Sequence, residues 1–178
     1  MKHLREILKK KVVMKMLKII NGDLLKAKEK IIVHQSNAQG VMGSGVARQI
    51  ATLYPEAEKQ YKEFINKNRE FGREFVMGQS IFVPVYNQRT NREQCIVNII
   101  GQDRFGRDGQ RYTEYRYLFK GILKVLDEAE STLDDIALPY KIGCFRGGGD
   151  WDSIVYPFLQ IISEDFPGNI VIYRLDRN

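Results

Sequence analysis

Residues 30–53 read KIIVHQSNAQGVMGSGVARQIATL, and their order decides the fold class. Lys30–Ser36 is a short run rich in β-branched residues, the composition of a buried strand. Gly40, Gly43 and Gly45 then fall within six residues, a density that breaks regular structure and predicts a loop. Val46 to Leu53 reads as a helix. Strand, glycine loop and helix in this order form the unit from which helix-covered sheets are built.

Working outward, Leu17–Ile20 is an apolar run closed by Asn21-Gly22, a strand ending in a turn. Pro55 restarts a helix that runs to about Asn68, with proline at a permitted first-turn position. Ser80–Val85 and Gln94–Ile100 are two more strands, with Tyr86–Glu93 a polar loop between them. A Gly- and Arg-rich segment, Gly101–Arg111, follows. Thr113 is placed as the N-cap of a helix carrying Leu118, Ile122, Val125, Leu126 and Ala129 on one face. Asp135–Leu138 is a strand ended by Pro139, and residues 143–149 are a second glycine loop. Trp151, Ile154, Val155, Phe158, Leu159 and Ile162 repeat at helical spacing, in a helix that starts near Asp152 or Ser153 or is kinked at Pro157. Asn169–Tyr173 is the last strand. The alternation predicts an α/β fold with helices on both faces of a mixed sheet, and ligands beyond the carboxyl ends of its strands.

The 178-residue chain is one domain's worth, 43% hydrophobic and 28% charged, which excludes wholesale disorder. No window is apolar enough for a transmembrane helix, so no membrane role is expected. Two cysteines, Cys95 and Cys144, are too few for a disulfide framework, and His3 and His34 make no metal-ligand cluster, so neither a metal nor a cofactor is expected. Residues 1–15 hold six basic groups against one acidic, leaving 22 and 21 in the remainder. The basic excess thus belongs to a leader, read as a solvated extension or an overlong start, since Met14 and Met16 offer later starts. It lacks the apolar stretch of a secretory signal, so a cytoplasmic location is expected. Any contact with nucleic acid would be confined to this extension. The division is therefore 1–15, extension, and 16–178, folded domain.

The two glycine loops carry the chemistry. GVMGSGVA, residues 40–47, has no P-loop lysine, and Gly43-Ser44-Gly45 lacks the third glycine of a dinucleotide fingerprint. GCFRGGGDW, residues 143–151, sets three consecutive glycines between a strand and a helix, where a backbone bending around a bulky anion is the economical explanation. Asp23 in NGDLL accepts a hydrogen bond from a ligand amine or caps an Asx turn. His34 is either a core histidine bonded to backbone or a catalyst. Asp150 suits an N-cap, and Tyr112, Tyr115 and Tyr117 suit helix packing.

At these loops the sequence resembles the macrodomains, an ADP-ribose-binding family. The string 31–61, IIVHQSNAQGVMGSGVARQIATLYPEAEKQY, is similar to the first binding loop and following helices of the yeast-type ADP-ribose 1″-phosphate phosphatase. It is also similar to the terminal ADP-ribose glycohydrolase branch, as is LPYKIGCFRGGGDW at 138–151. The resemblance covers about residues 16–175 and implies a three-layer α/β/α macrodomain with a mixed central sheet. It implies that Asp23 and Leu24 meet adenine and that Tyr173 and Leu175 border it. Asn37, Gly43, Ser44, Gly45 and Val46 would line the distal ribose and diphosphate. Gly143, Cys144, Phe145, Arg146, Gly147, Gly148 and Gly149 would form the second phosphate loop. The glycohydrolase branch uses a lysine after the fourth strand and an aspartate in the second loop. Here those places hold Ile100-Gly101-Gln102 and Gly147, which counts against a lysyl-ribose adduct.

The expected activity is hydrolysis of an ADP-ribose derivative at the distal ribose, either the 1″-phosphate or an ADP-ribosyl ester. The partner is then ADP-ribose or an ADP-ribosylated substrate, and the alternative is a reader module without chemistry. His34 and Asp150 are the catalytic candidates. Strand alternation puts His34 and Ser36 on one face, expected to look toward the distal ribose, and Val33 and Gln35 on the other.

Overall fold

A computed structural model describes residues 17–175. The basic extension and its expected role lie outside these residues. Among the described residues there are six strands: β1 Leu17–Asn21, β2 Ile31–Asn37, β3 Ser80–Asn87, β4 Arg92–Gln102, β5 Ile136–Pro139 and β6 Ile170–Arg174. Five α-helices join them: α1 Gly45–Leu53, α2 Pro55–Asn68, α3 Arg73–Val76, α4 Tyr115–Thr132 and α5 Tyr156–Asp165. The sheet order is β1-β6-β5-β2-β4-β3, parallel throughout except for the antiparallel edge pair β3–β4.

Alternation along the central strands builds the two outer layers. Ile32, Ile96 and Ile100 point to one face, where they pack with Ile50, Ala57, Tyr61, Ile65 and Val76 of α1–α3. Val33, Val97 and Ile99 point to the other, against Leu118, Ile122, Val125 and Leu159 of α4 and α5. The fold is therefore the expected three-layer α/β/α sandwich with a mixed sheet.

Three local expectations change. Tyr86–Glu93 is not all loop: β3 runs through Asn87 and β4 begins at Arg92, leaving a short turn. Polar side chains hide these strand ends in the sequence, yet Asn87 and Gln94 are buried, and Asn87 Nδ2 donates to Gln94 Oε1 at 2.6 Å. The N-cap of α4 is Glu114, not Thr113; the Thr113 hydroxyl is drawn into a tertiary contact described below. Finally, Asp150 caps a single wide turn, Trp151–Val155, before α5 starts at Tyr156. Pro157 sits in the first turn of α5, directly after this wide turn.

Every parallel strand ends at the same edge of the sheet. Along this crest come, in sheet order, the turn after β1 with Asp23, the end of β6 with Tyr173, the loop after β5, the loop after β2, and the segment after β4.

Candidate functional site

At the β1 end, Asp23 Oδ1 accepts from the Leu25 backbone N–H at 2.9 Å and caps a short turn, while Oδ2 lies 3.2 Å from Arg89. The Asx-turn role is real, and one oxygen faces an arginine from the β3–β4 turn. The Leu24 side chain is buried in the core, so only its backbone is offered to a ligand. Tyr173 donates its hydroxyl to Glu29 at 2.8 Å; burial first, then this bond, pushes the phenol up to about 12. Leu175 is 61% exposed beside it.

The first loop is braced by Asn37. Its Oδ1 accepts from the Gln39 and Val41 N–H groups at 2.9 and 3.2 Å, its Nδ2 donates to the Val41 carbonyl at 2.6 Å, and Tyr61 donates to its backbone carbonyl. The Asn37 amide is thus spent on shaping the loop rather than held out toward a ligand. Gly43 and Gly45 are exposed, and Val46 and Ser44 half-exposed. Gly45 has φ +59°, and a Cβ there would point into open space. Ser44 precedes α1 without a side-chain cap bond. The first-turn N–H groups of α1 are left facing the crest, an arrangement that attracts an anion.

The second loop is shaped by the protein itself. Gly143 and Gly148 take φ of +72° and +68°. A Cβ on Gly148 would lie 2.7 Å from the Gln110 carbonyl oxygen, one on Gly149 3.0 Å from that of Gly143, and one on Gly147 would overlap the Thr113 hydroxyl. The glycine run therefore has a packing reason that its sequence does not disclose: segment 110–113 lies directly against it. The Tyr112 and Thr113 N–H groups both donate to the Gly147 carbonyl at 2.8 Å. Phe145 and Arg146 are exposed on this loop. Cys144 is half-buried; burial, with the Asp150 carboxylate next, pushes its thiol up to about 12, so it is no thiolate nucleophile at neutral pH. Cations gather around the loop: Arg111 stands 4.8 Å from the Tyr115 ring, and Lys141 and Arg174 each 5.6 Å from the Tyr140 ring.

The two catalytic candidates are placed differently. Asp150 is exposed at the end of the second loop. Its Oδ1 caps Ser153 N–H at 2.9 Å, and its own N–H donates to the Tyr115 hydroxyl at 2.7 Å. His34 is 1% exposed. The face it shares with Ser36 is the one covered by α2, so it does not look out toward a ligand. Its Nε2 donates to Asn98 Oδ1 at 2.6 Å, a proton assignment made because that oxygen only accepts. Asn98 in turn donates to the Ala57 carbonyl of α2 at 3.3 Å. Burial lowers the imidazole to about 4, against the bond to Asn98 and the Gln35 carbonyl 3.2 Å from Nδ1, so it is neutral at pH 7. Among the described residues, no three His, Cys, Asp or Glu are grouped to hold a metal ion, and no helix is long and apolar enough to cross a membrane.

Segment 102–113 was not anticipated as part of the site. The signal available was its Gly- and Arg-rich composition directly after a central strand. Its base is clasped by Arg73, which pairs with Glu114 and lies 3.5 Å from Asp103.

The crest thus sets two glycine loops on the adjacent strands β2 and β5 at the carboxyl edge of an α/β sheet, the place where such sheets take ligands. The macrodomain of Mycobacterium tuberculosis DarG superposes with a TM-score of 0.71 at 23% identity, covering 89% of this chain and 97% of that one. The chain therefore has the macrodomain fold. No family model matches it. An ADP-ribose glycohydrolase of Archaeoglobus fulgidus is 27% identical over 159 residues, 87% of this chain and 81% of the relative. An ADP-ribose 1″-phosphate phosphatase of Saccharomyces cerevisiae is 38% identical over 69 residues, 38% of this chain; the match spans only 37% of that relative. The resemblance read from residues 31–61 and 138–151 is borne out by these relatives.

Proposed function

We propose that the protein binds ADP-ribose along the crest and hydrolyses a derivative of it at the distal ribose. One observation supports this reading: the sheet order, read along the crest, matches the order of groups in such a ligand. The Asp23 turn and the end of β6 lie side by side for adenine. The second and first glycine loops follow, on β5 and β2, for the diphosphate, and segment 102–113 comes last, for the distal ribose and its substituent. The named relatives, an ADP-ribose glycohydrolase and an ADP-ribose 1″-phosphate phosphatase, support the same ligand.

In this proposal Asp150 orients the attacking water. The water oxygen bonds to the phosphorus or carbonyl carbon of the substituent, the bond to the ribose oxygen breaks, and the water's proton is passed on so that the ribose leaves as an alcohol. His34 supports from beneath by tying β2 to β4. The site is divided as follows: Asp23, the Leu24 backbone, Tyr173 and Leu175 at adenine; Gly43, Ser44, Gly45 and Val46 with residues 143–149 at the diphosphate and ribose, and Asn37 beneath the first loop, holding its shape. The second reading, binding without chemistry, draws on His34 being buried and on Gly101-Gln102 where a lysine would be needed. A cytoplasmic location is proposed with it, in keeping with two free cysteines, as is the division into residues 1–15 and the domain 16–178.

Turnover of ADP-ribose 1″-phosphate and of O-acetyl-ADP-ribose separates the two readings. The hydrolase reading expects turnover of at least one, reduced about 10²-fold or more in Asp150→Ala. Tight binding of ADP-ribose with no turnover of either leaves the reader.

A further inference from the structure

The side chain opposite His34 does more at the crest than His34 itself. Gln35 points to the other face of β2 and meets four residues from three stretches of chain at once: Gly101 and Gln102, Thr113, and Gly143. Its Nε2 donates to Gln102 Oε1 at 2.6 Å and to Thr113 Oγ1 at 2.8 Å. Thr113 Oγ1 passes its own proton to the Gly143 carbonyl at 2.5 Å, and Gln102 Nε2 donates to the Arg104 carbonyl at 3.0 Å. The carboxamide fits only because two neighbours lack side chains: a Cβ on Gly101 would lie 2.8 Å, and one on Gly143 2.7 Å, from Gln35 Oε1. That oxygen is buried between them with no hydrogen-bond partner. A buried acceptor left unpaired is costly and rare, so the carboxamide's place is dictated by its two donor bonds.

We propose that Gln35 is a positioning residue that fixes the second glycine loop against segment 102–113, and so sets the width of the cradle in which the ligand's phosphates and distal ribose sit. The proposal rests on the ligand reading given above. The geometry supporting it is specific. The bonds from Gln35 run to Gln102 and Thr113, and through Thr113 to Gly143; together they join the loop after β5 to the segment after β4, on either side of β2. Thr113 adds its backbone N–H to the Gly147 carbonyl, so one residue grips the second loop at both Gly143 and Gly147. The glycines at 101 and 143 are thereby explained as room for this carboxamide.

The test uses the full chain and two reporters already in the loop. Cys144 is half-buried on it, and Trp151, the single tryptophan, closes it. Gln35→Met keeps the length and removes both donor bonds; Thr113→Val removes the relay, and Thr113→Ser restores it. Each variant is checked for cooperative unfolding, then measured for ADP-ribose affinity by calorimetry and for Cys144 alkylation rate. The expected result is a rise in Kd of about tenfold or more in Gln35→Met and Thr113→Val, with faster alkylation and a shifted Trp151 emission, and a return to within about threefold of the parent in Thr113→Ser. Unchanged alkylation and emission in folded Gln35→Met overturn the proposal. So does a Thr113→Ser variant as impaired as Thr113→Val. If the parent protein does not bind ADP-ribose, the ligand reading falls, while alkylation and emission still decide whether Gln35 sets the loop.

Discussion

Acidification should destabilise this protein through one buried histidine. His34 is buried, bonded to Asn98 and lowered to about 4, whereas in an unfolded chain it titrates near 6.5. Between those values the unfolded state binds a proton that the folded state refuses. Stability then rises with pH across the window from about 4 to about 6.5, is fully present above it, and is lost as pH falls through it. Between pH 7 and pH 4.5 this single group removes about 2.5 kcal/mol. Carboxylates titrate in the same range, so the effect is read as a difference between two proteins. His34→Gln can still donate to Asn98 Oδ1 but carries no proton of its own. It should be about 1–3 kcal/mol less stable at pH 7, from imperfect packing and a longer bond, and should lose less than the parent on acidification. Urea unfolding of both proteins at pH 7, 6, 5.5 and 4.5 gives the difference directly. Parallel pH profiles, within about 0.5 kcal/mol, would refute the reasoning. They would mean that His34 titrates normally, open to water, and would return it to the site as a general base.

Asp23→Ala should weaken ADP-ribose about ten- to a hundredfold, the loss of one charge-assisted hydrogen bond, and leave ribose 5-phosphate nearly unaffected; equal losses for both, measured by calorimetry, would make Asp23 only a turn cap. Gly148→Ala should cost about 1–3 kcal/mol, because φ is +68° and the new Cβ falls 2.7 Å from the Gln110 carbonyl. A melting temperature lower by roughly 2–4 °C per kcal/mol would show it, and an unchanged one would mean that segment 110–113 does not lie on the loop. A bulky probe such as Gly148→Glu is for the same reason no clean test of ligand binding.

The frame of this protein was legible because residues 30–53 state it locally. A β-branched run, three glycines and an amphipathic stretch each follow from short-range rules, and repetition of that pattern gives the sandwich. What was not legible depends on partners distant in sequence. Alternation separates His34 from Gln35, but it cannot say which face α2 will cover; that follows from Ile32 and Asn98 packing with Ala57 and Tyr61. The glycines at 147–149 suggest an absent ligand when read alone, and show their own neighbour only when segment 110–113 folds onto them. Thr113 looks like a cap and stands two residues before a helix, yet its hydroxyl is bound to Gln35 and Gly143. Asn37 looks like a ligand contact and instead folds its own loop, using every atom of its amide.

The central claim is that the two glycine loops form one cradle for ADP-ribose. A single calorimetric titration of the full chain with ADP-ribose tests it most directly. Saturable one-to-one binding, weakened when Gly43→Val sets a branched side chain on the exposed first loop where the backbone has no positive φ, is the result expected. A folded protein that takes up no ADP-ribose, or a Gly43→Val variant that binds it unchanged, would contradict the claim.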